Sequence, residues 1–196
     1  MSSSLYIMMG KRIVDVAIGL GAFLIFSPIF LIVLLLLFVA NQGAPFFIQP
    51  RPGKNGKVFN VIKFRTMNNK RDASGKLLPD AQRLTPFGRF IRSTSLDEIP
   101  QLLNVIKGDM SLIGPRPDYF HHARYYLRVI PGYRARHRVR PGISGLAQTQ
   151  LGYAAGLDAT AAKVRADLYY IENAGFRLET WIFWRTVLTV LGRHGA

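Results

Sequence analysis

The sequence predicts an α+β, mostly helical fold in two parts. Residues 1–43 are expected to form an N-terminal membrane anchor that enters and leaves the bilayer on one side. Residues 44–196 are expected to form a cytosolic, membrane-associated domain with a β-hairpin and interfacial amphipathic helices. Three observations predict this. Val16 to Ala40 is uncharged and mostly apolar; residues 45–67 hold two β-rich runs separated by Gly and Asn; and apolar residues recur at helical spacing around residues 84–106 and 159–191. A chain of 196 residues suffices for one modest domain plus an anchor.

Residues 1–10 carry no strong signal and read as a frayed end or an interfacial turn. The apolar run that follows, about 25 residues, would reach roughly 38 Å as a straight helix. It exceeds the core of a signal peptide, and no small-residue cleavage site closes it, so its removal is not expected. Ser27–Pro28 divides it near the middle. Pro28 deletes a backbone donor and crowds the preceding turn, at about 3 kcal/mol in an ordinary helix interior, and the Ser27 hydroxyl can serve a carbonyl freed by the break. Lys11 and Arg12 precede the run and Arg51, Lys54, Lys57, Lys63 and Arg65 follow it, which pulls both ends to the cytoplasmic side. A re-entrant helix–break–helix bent at Ser27 and Pro28 is therefore favoured over a kinked span.

PFFIQ and KVFNVIKFRTM read as two strands joined by a loop containing Gly53 and Asn55–Gly56. Lys63 and Arg65, two apart, fall on one strand face, where they could meet a phosphate or lie solvated. Residues 68–83 are polar and punctuated by Gly and Pro, hence a loop. LTPFGRFIRS brings Leu84, Phe87, Phe90 and Ile91 to one side of a short interfacial helix, with Arg89 and Arg92 nearby.

Next comes the adjacent pair Asp97–Glu98, two acids in a chain of net charge +15. Ile99, Leu102, Leu103 and Ile106 follow at helical spacing, Gly108 stops the helix, and Pro100 must lie in its first turn. Asp97 is then the N-cap, or Ser95 and Glu98 form a capping box. Either arrangement puts both carboxylates at the positive helix end, which favours the ionised form and suits a nucleophile, a metal ligand or a plain cap.

In Gly114–Pro117, Pro115 and Pro117 fix the backbone around Arg116, suiting its guanidinium to phosphate recognition. Residues 118–140 interleave aromatics with Arg134, Arg136, Arg138 and Arg140, which would align on a strand and scatter around a helix. This stretch reads as a nucleic-acid platform or a membrane-interface belt. His121, His122 and His137 lack a metal spacing and read as structural or surface residues. RPGISGLAQTQ is a turn leading into a polar segment. Residues 159–172 suit a helix in which Asp167 either supports the site or pairs with Arg165 or Lys163. LETWIFWRTVLTVLG places Trp181, Trp184, Leu188 and Leu191 on one face of an interfacial helix.

The runs QPRPGKNGKVFNVIKFRTM, SLDEIPQLLNVIKGDMSLIGPRP and VRPGISGLAQ, in this order, resemble the bacterial sugar transferases, the monotopic polyprenyl-phosphate phosphoglycosyl transferases. The resemblance implies an enzyme embedded in one leaflet on the cytoplasmic face of the bacterial inner membrane, with Ser27–Pro28 at the bend. It implies transfer of a sugar 1-phosphate from a UDP-sugar to undecaprenyl phosphate with release of UMP, as the first membrane step of a polysaccharide or glycoconjugate pathway. By the same resemblance Asp97 is the nucleophile that carries the phosphosugar covalently, and Glu98 binds or orients Mg²⁺ beside it, so that Asp97 and Glu98 are both catalytic and metal-binding. Pro115, Arg116 and Pro117 belong to a nucleotide-binding wall, and Asp167 lies beside the site. With Arg92, and with Lys63 and Arg65 more weakly, they form the expected substrate-binding set. After Ala147–Gln148 many relatives continue Val-Asn-Gly-Arg, where this chain has Thr149, Gln150, Leu151 and Gly152, so the motif does not fix the sugar.

Charge narrows the partners. Before position 41 the only charged residues are Lys11, Arg12 and Asp15, so nearly all of the +15 lies in the domain. Such a domain suits a phosphorylated substrate, anionic membrane lipids or nucleic acid. The alternative reading is a membrane-tethered nucleic-acid binder without catalysis. No helix-turn-helix, zinc-finger or RNP signature supports it, and Asp97–Glu98 would repel phosphates without a cation, so nucleic acid is not expected. A non-catalytic scaffold leaves the acidic pair unexplained, and homo-oligomerisation is left open. The absence of cysteine excludes a disulfide framework and thiolate chemistry.

Overall fold

The computed structural model describes residues 10–151 and 156–192; of the frayed end or interfacial turn expected over residues 1–10, residues 1–9 lie outside them. The apolar run forms one helix, α1 (Lys11–Ala40), with Pro28 inside it. The expected division into two helices is not observed. Pro28 offers no donor to the Leu24 carbonyl four residues earlier, and the Ser27 hydroxyl donates to that carbonyl at 2.7 Å, so the helix continues through the defect. Most of its side chains are exposed and apolar, as at Ile25 and Val39, while Asp15, Phe30, Val33 and Leu37 are buried against the rest of the chain.

Strands β1 (Phe46–Pro52) and β2 (Val58–Phe64) form the expected antiparallel hairpin, with Phe46 opposite Phe64 and Phe47 opposite Lys63. Its turn needs left-handed backbone at Asn55 (φ 57°) and Gly56 (φ 77°), which Asn and Gly adopt most readily. The rings of Phe46 and Phe64 stack at 5.7 Å, and Phe30 of α1 lies 5.1 Å from Phe64. The hairpin thereby fastens the second half of α1. The polar loop after it contains one short helix, α2 (Asp80–Arg83).

Helix α3 (Pro86–Ser93) is capped by Thr85, whose hydroxyl accepts from the Gly88 amide at 2.9 Å. A Cβ on Gly88 would lie 2.0 Å from the Thr66 carbonyl oxygen, so the approach of α3 to the end of β2 requires glycine. Ile91 is buried and Phe87 packs inward, but Phe90 is 53% exposed; the single apolar face expected here is split.

A 3-10 turn, Leu96–Glu98, carries the acidic pair, and α4 (Gln101–Lys107) follows, ended by Gly108 in left-handed conformation (φ 101°) as expected. Neither proposed cap forms. Pro100 occupies the cap position, Ser95 is itself left-handed (φ 56°), and no side chain caps either turn. The buried face of α4 also differs, since Leu102 and Val105 are inside with the polar Gln101 and Asn104 while Leu103 and Ile106 are half-buried. Asn104 explains the rotation: its amide donates to the Asn60 carbonyl at 2.8 Å and accepts from the Ile62 amide at 3.1 Å, tying α4 to β2.

Strand β3 (Ser111–Ile113) pairs in parallel with β4 (Gly142–Ser144), so the RPGISG turn contains a short strand. Between them run α5 (Phe120–Val129) and a 3-10 segment, Tyr133–Arg138. The alternating arginines therefore do not line a strand face, and Arg136 turns inward with Tyr133. Helices α6 (Leu146–Leu151), α7 (Leu157–Asn173) and α8 (Phe176–Leu191) complete the body. Ile182 of α8 is fully buried, while Trp181, Trp184 and Leu188 are exposed together; the Leu191 side chain is outside those described.

Candidate active site

Chain reversal at Ser95 sets Asp97 and Glu98 between the edge of the hairpin and the Gly114–Pro117 loop. Glu98 is engaged through one oxygen: its Oε1 accepts from Lys63 Nζ at 2.6 Å and from an Arg116 nitrogen at 2.5 Å. A second Arg116 nitrogen lies 3.5 Å from Oε2 and donates to the Ile143 carbonyl at 3.2 Å. Asp97 differs, for its carboxylate accepts no hydrogen bond among the described residues and its nearest ion pair is Lys63 at 3.8 Å.

These surroundings drive the two acids apart. Burial alone would raise Glu98, but Arg116 and Lys63 outweigh it and hold the carboxyl down to about 2. Burial pushes Asp97 above its ordinary range, the Glu98 charge adds to the push, and Lys63, Arg92 and Arg116 only partly oppose it. The sequence argument from a helix end is thus corrected. Cations rather than a helix terminus keep Glu98 ionised, and Asp97 is a carboxylate of raised basicity without hydrogen bonds.

The other expected residues divide. Lys63 and Arg116 join the acids directly, Pro115 and Pro117 hold Arg116 in its loop, and Arg92 donates to Thr66 at 2.8 Å while its charge still reaches Asp97. Arg65 does not join Lys63. It lies beyond the end of β2, its backbone is bonded to Pro45 and Asn41, and its side chain has no ion pair among the described residues. Asp167 is buried and paired to Arg136 at 2.6 Å, with the Lys163 charge a lesser influence on it. Arg136 in turn donates to the Arg116 carbonyl at 2.9 Å and pairs with Asp118, so Asp167 stands behind the site and not in it.

Sequence reasoning missed Arg136, Asp118, Arg51 and Asn104. It also missed Asp15, whose carboxylate accepts from the Leu112 amide at 3.1 Å and the Ser111 hydroxyl at 3.0 Å. One signal was available: an aspartate just inside an apolar run is expensive to bury unless partners await it. No periodicity distinguishes Arg136 from its exposed neighbours Arg134 and Arg138.

The donor set suits a Mg²⁺ ion that brings substrate phosphates as ligands. Asp97 is uncommitted, and Oε2 of Glu98 carries only the long contact to Arg116; one or two carboxylates with phosphates and waters are the usual Mg²⁺ set.

The family model described as bacterial sugar transferase matches residues 6–193. The chain is 42% identical over 188 residues to the UDP-N-acetylgalactosamine-undecaprenyl-phosphate N-acetylgalactosaminephosphotransferase of Aeromonas hydrophila, covering 95% of this chain and 44% of that protein. It is 41% identical to the uncharacterized sugar transferase EpsL of Bacillus subtilis, covering 94% of this chain and 89% of the relative. It is 38% identical to a UDP-glucose:undecaprenyl-phosphate glucose-1-phosphate transferase of Caulobacter vibrioides, with 92% and 67% covered. The chain thus spans less than half of the Aeromonas protein and most of the Bacillus one.

Proposed function

The chain belongs to the bacterial sugar transferase family, and we propose that it moves a sugar 1-phosphate from a UDP-sugar to undecaprenyl phosphate through a covalent intermediate on Asp97. The observation that carries this reading is the asymmetry of the acidic pair: Glu98 is locked by Lys63 and Arg116, while Asp97 beside it is unbonded and more basic than usual. The printed activities of the Aeromonas and Caulobacter relatives supply the substrate class; their sugars differ, and this chain's sugar is open.

In the first step a carboxylate oxygen of Asp97 attacks the phosphorus attached to the sugar. The bond from that phosphorus to the bridging oxygen breaks, and UMP leaves with the electron pair. In the second, an oxygen of the lipid phosphate attacks the same phosphorus, the acyl-phosphate bond breaks, and the Asp97 carboxylate is restored. Splitting the transfer lets the two phosphorylated substrates occupy the site in turn and not together. Glu98 holds Lys63 and Arg116 beside Asp97, and Arg92 adds positive charge near Asp97, so in this reading the charge developing on the diphosphate meets cations already in place. Mg²⁺, held by Asp97 and Glu98 Oε2 together with donor phosphates, would neutralise the diphosphate.

The anchor reading is embedding in one leaflet of the cytoplasmic membrane, with the body on the cytoplasmic face. Helix α1 is long and apolar enough to cross a membrane, yet both of its ends hold the same body. Arg12 donates to the Val105 and Ile106 carbonyls at 2.6 and 2.8 Å, and Asn41 donates to the Arg65 carbonyl at 3.0 Å. A span would put those ends on opposite sides of the hydrocarbon. Cysteines placed at Ser3 and Ser74 should react with an impermeant reagent from one side only; labelling from opposite sides removes this topology.

The chemistry is tested by incubating detergent-solubilised protein with UDP-sugar alone. A mass gain of one phosphosugar on the peptide containing Asp97, and exchange of labelled UMP into the donor, are expected. No adduct and no exchange without lipid acceptor would leave a direct transfer in a ternary complex.

A further inference from the structure

Arg116 reaches Glu98 from a tripeptide whose prolines, Pro115 and Pro117, have no amide hydrogen to give. Its three carbonyls are nevertheless all paired, each by a different element. The Gly142 amide at the start of β4 donates to the Pro115 carbonyl at 3.0 Å. Arg136, from the 3-10 segment, donates to the Arg116 carbonyl at 2.9 Å. Arg51, near the end of β1, donates to the Pro117 carbonyl at 2.6 Å.

The two arginines are themselves fixed. Arg136 is 6% exposed, held between Asp167 and Asp118, and Tyr133 donates to Asp118 at 2.7 Å. Arg51 donates to the Gln49 side chain at 2.9 Å and stacks over the Tyr119 ring with its guanidinium carbon 3.8 Å from the centroid. Neither touches Asp97 or Glu98. Burying an arginine among carboxylates to grip one carbonyl is costly for a loop that only needs its backbone satisfied. It is understandable for a loop whose middle side chain must stay within hydrogen-bond reach of Glu98.

The geometry points to Arg136 and Arg51 as positioning residues that act through Arg116, holding its backbone from two sides so that its guanidinium meets Glu98 and the donor. Two readouts separate this from a general structural role, and only the second depends on the proposed reaction. Arg51→Met and Arg136→Lys are made in the full chain and assayed in detergent.

Amide exchange at Gly114 and Gly142, whose bonds to the Ser144 and Pro115 carbonyls tie this loop to β4, should quicken about tenfold in each variant, with α3 and α8 unchanged. Turnover of UDP-sugar should fall about tenfold in kcat/KM in the parent chain and less than twofold in an Arg116→Ala background, because the effect runs through Arg116. Equal fold losses in both backgrounds, or unchanged exchange at Gly114 and Gly142, overturn the assignment. If the parent chain turns over no UDP-sugar, the proposed reaction fails and the exchange result alone decides the clamp. If Arg136→Lys does not melt cooperatively, Arg51→Met decides it.

Discussion

Two pairs of carboxylates lie on either side of the Pro115–Pro117 loop, and both are built from the same materials. In front, Asp97 and Glu98 share Lys63 and Arg116; behind, Asp118 and Asp167 share Arg136. The rear pair is fully committed. Asp118 and Asp167 are both bonded to Arg136; Asp118 is held below its ordinary range by Arg136 and Tyr133 despite burial, while burial lifts Asp167 to about 6 even against Arg136. The front pair is half committed, with Glu98 bonded and held down while Asp97 is unbonded and pushed up. Burial raises one acid of each pair, so what sets Asp97 apart is the missing hydrogen bond, which leaves its oxygens open to a reaction partner, and residue type alone cannot make that distinction.

The largest expected effect breaks the front pair. Asp97→Asn should lower turnover by about a thousandfold or more if the carboxylate is the attacking group. Stability should change by less than about 0.5 kcal/mol, because no hydrogen bond is lost and one buried charge is removed. Turnover near the parent's would leave Asp97 no more than a metal ligand. Removing a carboxylate behind the loop should do the reverse. Asp167→Ala leaves Arg136 without one of its two carboxylates and should cost about 3–5 kcal/mol of stability, read as a lowered denaturation midpoint. A midpoint unchanged from the parent would mean that the rear pair is not structural.

Glu98 sharpens the comparison through pH. Its carboxyl falls from an ordinary 4.5 to about 2 in the folded protein. The stabilisation is therefore complete above pH 4.5 and is lost as pH falls toward 2. At about 1.4 kcal/mol per pH unit the full shift is worth roughly 3 kcal/mol, and partial exposure of Arg116 brings it nearer 2. The stability gap between the parent and Glu98→Gln should shrink by about half between pH 6 and pH 3. A gap that stays constant would show that shape, not charge, is what Glu98 contributes. The same substitution removes a charge that raises Asp97, so the acid limb of the rate profile should move to lower pH.

Much of this molecule is legible in its sequence because the signals are local. The hairpin announces itself by Asn55–Gly56 between β-rich runs, α4 by Gly108, and the candidate site by two acids in a basic chain. What is not legible is set by contacts distant along the chain. Asn104 rotates α4 by bonding Asn60 and Ile62, which no helical period anticipates. Arg136 turns inward because Asp118 and Asp167 meet there, although its neighbours at the same spacing face solvent. Continuity at Pro28 depends on one hydroxyl at the right place, an option the sequence offered without deciding it.

The smallest effect concerns the pair of cations that alternation placed on one face of β2. Lys63 lies within the strand opposite Phe47 and reaches Glu98, whereas Arg65 follows the last paired residue, Phe64, and its backbone turns toward Pro45 and Asn41. Alternation holds only while the strand remains paired, so two residues of equal charge and regular spacing part company at the strand end. Lys63→Ala should lower kcat/KM about tenfold, the loss of a charge-assisted contact, while Arg65→Ala should stay within about twofold. A tenfold loss at Arg65 would mean that its side chain swings to the diphosphate once donor binds, and the cationic wall would then extend past the strand end toward α1.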